Sequence, residues 1–304
     1  MKDPDCIIQP MPTLSVIIVS YNVADLLRGC LRSVFASRDV DQEVWVVDNC
    51  SSDGSAAMVA REYPQARLLE SPRNGGYAYA NNLALCQAQG DYLLLLNPDT
   101  VLPPDALVEM VSFMQRRNDV GMAGPKLVRE DGSLDLACRR SFPSPAVSLY
   151  RMIGLSKRFP RSRRFGRYNL TYLDPDQEAE VDSVVGAFMM VRRQAVDQVG
   201  LLDEAFFLYG EDLDWAMRVK KAGWKIVYNP RVVVLHRKAG SSTGDIRRAT
   251  TEFYRSMVIF YKKHYAAQTF APLNWLILGA IYLRGSMAFL MNTFLPSQLR
   301  RVNY

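Results

Sequence analysis

The common phosphate-binding and zinc-hydrolase signatures are missing from this 304-residue chain. No Gly-x-Gly occurs, which removes the dinucleotide fingerprint, and Gly-x-x-x-x-Gly-Lys is absent too. There is no His-Glu-x-x-His. The five cysteines (Cys6, Cys30, Cys50, Cys86, Cys138) are odd in number, scattered, and never form Cys-x-x-Cys. That argues against a disulfide framework or zinc ribbon and fits a reducing compartment. The opening MKDPDCIIQPMP lacks the basic-then-apolar layout of a secretory signal, so a cytoplasmic placement is expected. Repeats and low-complexity tracts are absent, and a composition 49% hydrophobic and 22% charged excludes wholesale disorder.

Acidic residues are also missing between Asp135 and Asp174, where nine arginines and lysines fall (Arg139, Arg140, Arg151, Lys157, Arg158, Arg161, Arg163, Arg164, Arg167). The net charge of +6 therefore hides an asymmetry. Residues 1–135 hold 11 Lys/Arg against 18 Asp/Glu, whereas 136–304 hold 26 against 13. Such a block suits phosphates, whether of nucleic acid, an anionic lipid surface or a diphosphate substrate, unless it is simply a solvated loop.

What is present alternates short apolar runs with helical stretches. LSVIIVS (14–20), EVWVVD (43–48), 67–70, DYLLLL (91–96) and 120–124 read as strands. Between them 23–37, 51–63, 76–87 and 103–117 read as helices. Continuous apolar strands separated by helices predict a parallel sheet covered on both faces, with ligands at the carboxyl ends of the strands. Three of those ends carry polar clusters: Ser20-Tyr21-Asn22, Asp48-Asn49 and Asn97-Pro98-Asp99. Further on, 127–138 reads as a hairpin about Asp131-Gly132, 181–191 as a strand, 194–199 and 210–222 as helices, and 225–228 and 232–236 as strands. From about Thr250 the pattern is helical.

Without a glycine cradle, phosphates need another holder, and carboxylates at a strand end gripping a bridging divalent cation are the natural one. Asn97-Pro98-Asp99 offers such oxygens, although it is also a good turn sequence. The segments LSVIIVSYN, VVDNCSSDGS, SPRNGGYAYANN, GDYLLLLNPDT and LDEAFFLYGEDLDWAMRVKKAGWKI followed by VVVLH resemble, in order and spacing, family two of the GT-A glycosyltransferases, in its rhamnosyltransferase-like branch. The resemblance covers about residues 13–240. It implies an α/β GT-A fold, Rossmann-like, with a mixed, mostly parallel sheet and helices on both faces, plus a C-terminal helical tail. It also implies metal-assisted (Mg²⁺ or Mn²⁺), inverting transfer from a nucleotide diphosphate sugar. Where the family carries Asp-x-Asp this chain has Asn97-Pro98-Asp99, leaving one metal-binding carboxylate instead of two.

An inverting transfer needs a base on the acceptor side and charge stabilisation on the leaving side. The resemblance implies Asp212 as the base at a helix start, with Glu211 beside it; otherwise these acids merely complement the helix dipole. It implies Asp99 and His236 as metal ligands, with Asn97 assisting. Ser20, Tyr21, Asp48, Arg73, Asn74 and Gly76 are expected around the nucleotide, Asp48 alternatively capping with Ser51 and Ser52. Gly186, Ala187, Asp214 and Trp215 are expected on the acceptor side, Trp215 alternatively in the core. The Gln-x-x-Arg-Trp signature of processive synthases is absent, so one sugar per encounter is expected.

The expected organisation is an extension (1–12), a catalytic domain (13–245) and a helical tail (246–304). The catalytic domain divides into a nucleotide-sugar half (13–125) and an acceptor half (126–245) with a basic loop at 139–168. The tail's apolar run 270–295 is interrupted by Arg284, Asn274 and Asn292, which favours an interfacial helix over a spanning one; packing on the domain is the plainer alternative. With the arginine block, this places the enzyme peripherally on the inner face of the plasma membrane, with a saccharide or polyprenyl-diphosphate-linked acceptor and no nucleic acid. Two other classes compete with this reading. A nucleotidyltransferase would want a Gly-rich basic loop where Ser20-Tyr21-Asn22-Val23 stands, and a nucleic-acid-binding protein would use the arginine block.

Overall fold

A computed structural model describes residues 14–238 and 246–294. The expected 1–12 extension, the 245/246 boundary and the last residues of the tail lie outside the described residues. The first half alternates β1 (Leu14–Ser20), α1 (Ala24–Phe35), β2 (Gln42–Asp48), α2 (Ser55–Glu62), β3 (Arg67–Glu70), α3 (Tyr77–Leu85) and β4 (Tyr92–Leu96). Every residue of β1 and β4 is buried, as a strand covered on both faces requires. These four strands pair in parallel in the order β3-β2-β1-β4, so their carboxyl ends share one edge.

The second half adds β5 (Thr100–Val101), α4 (Ala106–Arg116), β6 (Val120–Val128), α5 (Pro145–Met152), α6 (Leu155–Arg158), β7 (Ala179–Glu180), β8 (Phe188–Arg192), α7 (Arg193–Val199), α8 (Glu211–Lys221) and β9 (Lys225–His236). Here the sheet is mainly antiparallel. β8 runs against both β4 and β6, and β5 and β7 run against β9, leaving β6–β9 as the one parallel pair of this half among the described residues. The expectation of a mostly parallel sheet thus holds for the first half only. The antiparallel entry of β8 closes the parallel edge and turns the chain back across the strand ends.

Several expected boundaries shift. The 127–138 hairpin is reduced to a tight turn, with one bridge from Val128 to Leu134 and Gly132 at φ +76°. The expected strand 181–191 begins only at Phe188, because residues 181–183 bond instead to Ile226 and Arg140. The two expected C-terminal strands fuse into β9, whose register against β6 shifts at Pro125/Lys126.

Beyond the sheet, α9 (Ile246–His264) and α10 (Ala271–Phe294) form a helical hairpin. Asn292 donates to Thr250, Gly285 lies against Tyr254, and Tyr261 donates to Asn274, which fixes the two helices antiparallel. The α10 residues Asn274, Gly285 and Asn292 meet α9, and with the buried Ile281 they recur at the 7- and 4-residue spacings of a helix–helix seam. On its other side α9 packs Phe260 against Phe206, Leu213 and Met217, and thereby anchors the hairpin to α8.

Candidate active site

The carboxyl ends of β1 and β4, the start of α3, the start of α8 and the end of β9 converge on one cavity of about 1190 Å³. Drug-sized ligands occupy pockets of roughly 300–1,000 Å³, so this one has room for more than a single small substrate. Tyr21, Asn74, Gly76, Asn97, Asp99, Gly186, Ala187, Glu211, Asp212 and His236 all line it.

One wall is set by strand register. Thr100 of β5 pairs with His236 of β9, and Arg237 N–H donates to the Asp99 carbonyl at 2.9 Å, which brings Asp99 beside His236. Asp99 Oδ1 is buried with no hydrogen-bond partner and lies 3.4 Å from His236 Nε2. The other ring nitrogen, Nδ1, is 2.8 Å from Asp135 Oδ2, and Asp135 Oδ1 also pairs with Lys238 Nζ at 2.8 Å. Burial opposes a charge on His236, yet Asp135 and Asp99 outweigh it and lift its pKa to about 9. The unpartnered Asp99 oxygen faces the far nitrogen of an imidazole braced by Asp135, and the two could hold a divalent cation once the ring gives up its Nε2 proton. Among the described residues no group of three or more His, Cys, Asp or Glu side chains is placed to hold a metal ion.

The opposite wall begins at Gly210, whose φ of +83° turns the chain into α8. Asp212 Oδ2 accepts from Arg140 Nη2 at 2.5 Å and from Gly186 N–H at 3.3 Å, and Oδ1 lies 2.7 Å from Leu213 N. Adjacent Glu211 is buried with Oε2 unpartnered, and burial reinforced by the Asp212 charge pushes its pKa up to about 8. Tyr77 ties the two walls together, donating to the Gly186 carbonyl at 2.9 Å from the first turn of α3. Gly76 precedes it at φ +91°, where an added Cβ would sit 2.3 Å from the Phe207 carbonyl. Asn74 Oδ1 accepts from Gly76 N–H at 3.1 Å and Asn49 Nδ2 at 3.0 Å, which braces this corner.

Residues 15–200 match the family model described as glycosyl transferase family 2. The chain belongs to that family and is a glycosyltransferase. It is 30% identical over 299 residues to the N-acetylglucosaminyl-diphospho-decaprenol L-rhamnosyltransferase of Mycobacterium tuberculosis, covering 95% of this chain and 94% of that one. Its fold matches a mannosyltransferase of Pyrobaculum calidifontis solved with GDP-Man and Mn²⁺ at TM-score 0.59 and 19% identity, over 95% of this chain and 78% of the other. It also matches GalNAc-T7, solved with UDP, GalNAc and Mn²⁺, at TM-score 0.57 and 15% identity, over 83% and 50% of the two chains.

In this glycosyltransferase not every expected site residue reaches the cavity. Ser20, Asp48 and Arg73 stand at the same edge but do not line it. Ser20 and Asp48 are buried, with Asp48 Oδ2 accepting the Ser51 N–H at 2.9 Å, and Arg73 lies over the Tyr79 ring. Asp214 and Trp215, expected on the acceptor side, are corrected to structural positions. Asp214 is fully buried among Arg218, Lys263 and His264, at 2.9, 2.8 and 2.7 Å. Those partners overcome its burial and hold its pKa down to about 2. Trp215 is fully buried and donates to the Gly200 carbonyl. A signal for Asp214 was available: two residues along a helix is a turn of about 200°, so Asp212 and Asp214 face opposite ways.

Conversely, Asp135, Arg140 and Tyr77 were not expected at the site. Arg140 belongs to the arginine block that suits phosphates, yet it is buried and paired with Asp212. Its neighbour Arg139 is also buried and donates to the Leu173 and Asp174 carbonyls.

Proposed function

We propose that the enzyme transfers a single sugar, rhamnose, with inversion from a nucleotide diphosphate donor (dTDP-rhamnose) to a lipid-diphosphate-linked saccharide in cell-surface polysaccharide synthesis. The observation that carries the reading is that Asp99 and Asp212 line one cavity from different walls. An inverting displacement needs this arrangement, with a base on one side of the anomeric carbon and the leaving group on the other. Asp212 takes the proton of the acceptor hydroxyl as the oxygen attacks, and Arg140 and the Gly186 N–H hold its carboxylate in place. Asn97, Asp99 and His236 face the departing diphosphate, with Asp135 fixing the ring of His236. A divalent cation, Mg²⁺ or Mn²⁺, held by Asp99 and His236 would supply charge neutralisation to that diphosphate. Tyr21, Asn74 and Gly76 border the nucleotide.

The rhamnose and lipid-acceptor part of the reading rests on likeness to the mycobacterial enzyme. A role for the arginine block in gripping nucleic acid is disfavoured, since Arg139 and Arg140 turn inward.

The enzyme sits, in this reading, peripherally on the inner face of the plasma membrane. Helix α10 is long and apolar enough to span, yet its seam is held along α9, which carries Arg247, Arg248, Glu252, Arg255, Lys262 and Lys263. Carrying those charges into hydrocarbon would be costly, so an interfacial position fits better. Trp275 is 80% and Phe294 81% exposed, with Leu276, Leu283, Met287 and Leu290 also bare.

The test is transfer from a panel of nucleotide sugars with Mg²⁺ or Mn²⁺, preceded by thermal-shift ranking of dTDP, UDP and GDP. Asp212→Asn should lower transfer at least ~100-fold while nucleotide binding persists. Retained turnover would refute the assigned base.

A further inference from the structure

The cavity does not end at the reacting groups. Its lining has an apolar part as well, Leu149 and Met152 of α5, Met257 of α9 and Leu273, Ile277 and Ile281 of α10. These six side chains offer a saccharide no hydrogen-bonding group. Of the cations lining the same cavity, Arg151 on α5, Lys157 on α6 and Arg284 on α10 form no ion pair among the described residues. Arg284 is the one charge within α10, and it interrupts the most apolar helix of the chain at a position lining the cavity. Arg151 is half-buried and stacked 4.6 Å over the Tyr168 ring, which holds its guanidinium at the cavity wall.

We infer that this part of the cavity is a binding site for a polyisoprenyl diphosphate, with Arg151, Lys157 and Arg284 holding the diphosphate and the α5–α9–α10 wall holding the first isoprene units. The inference rests on the proposed function, which it deepens by locating the lipid of the acceptor. The cavity lining offers a partner for each part of such an acceptor: Asp212 for the hydroxyl-bearing sugar, Arg151, Lys157 and Arg284 for the diphosphate, and the apolar side chains of α5, α9 and α10 for the hydrocarbon. The proposed place of the donor diphosphate is at Asp99 and His236, which leaves these three cations to serve a second anion. The bare outer face of α10 borders the same wall, and a chain leaving the site there would pass directly into a bilayer.

The experiment uses the full-length protein and a farnesyl diphosphate carrying a benzophenone on its terminal isoprene, with crosslinks mapped by peptide mass spectrometry. The expected labels fall on 145–152 and 271–284. Excess farnesyl diphosphate should suppress them, whereas inorganic pyrophosphate at the same concentration should not. The Arg151→Gln/Arg284→Gln double variant should reduce labelling at least fivefold. Leu273→Asn, on a half-exposed stretch of α10, should do the same with an unchanged melting temperature. Labels scattered over the surface, or suppressed equally by pyrophosphate, or unmoved by these variants, would overturn the site. The nucleotide-sugar panel fails or succeeds separately: specific labelling without sugar transfer would sink the proposed function and leave a lipid-diphosphate site standing.

Discussion

Replacing Glu211 with glutamine isolates the one proton that the paired carboxylates at the start of α8 should retain. Glu211 is buried, its Oε2 has no partner, and the Asp212 charge lies next to it. In the unfolded chain this carboxyl loses its proton near its ordinary value of 4.5, whereas in the folded protein it keeps it to about 8. Between those values the native state binds one more proton than the unfolded state, so stability is full below the lower pKa and drains away as pH rises through the window. The slope is about 1.4 kcal/mol per pH unit, and it vanishes above the folded pKa. Glutamine has the same shape and no proton to lose. The difference in melting temperature, variant minus wild type, should therefore widen by about 2–5 °C per pH unit across this range, given the usual size scaling. Melts followed by circular dichroism from pH 5 to 8.5 at constant ionic strength measure it, and other titrating groups largely cancel in the difference. Parallel curves for the two proteins would show that Glu211 ionises normally and that the pair holds no proton.

Other consequences follow from single contacts. Asp135→Asn removes the carboxylate that orients His236, and the Mn²⁺ concentration needed for half-maximal transfer should rise about 10–100-fold. Gly76→Ala forces a Cβ to within 2.3 Å of the Phe207 carbonyl at a left-handed φ, and calorimetry should record a loss of about 1–3 kcal/mol or more. Asp214→Asn leaves Lys263, His264 and Arg218 facing a neutral amide, and chemical denaturation should show a loss of about 3–5 kcal/mol. Flotation with anionic liposomes should carry the full-length protein upward, and Trp275→Ser/Leu276→Ser/Leu283→Ser should leave it at the bottom; equal flotation of both would count against the membrane reading.

Local pattern was enough for the first half of the fold. Unbroken apolar runs such as LSVIIVS and YLLLL have one stable use, as strands covered on both faces, and the polar clusters after them had to lie at one edge of a parallel sheet. The five ordered motifs then pointed to the family that the domain match establishes. Sequence also placed Asp99, Asp212 and His236 at the ends of their elements, because strand and helix termini are legible from periodicity.

Which groups face one another was settled only by the folded chain. Asp135 meets His236 across 101 positions and Arg140 meets Asp212 across 72, through the β5–β9 register and the return of the chain along 181–184. Side-chain periods of two and 3.6 residues report which face a residue occupies, not what lies opposite it. The same reason governs the tail. Its apolar composition was evident, but the seam through Asn274, Ile281, Gly285 and Asn292 fixes which side meets α9 and which borders the cavity.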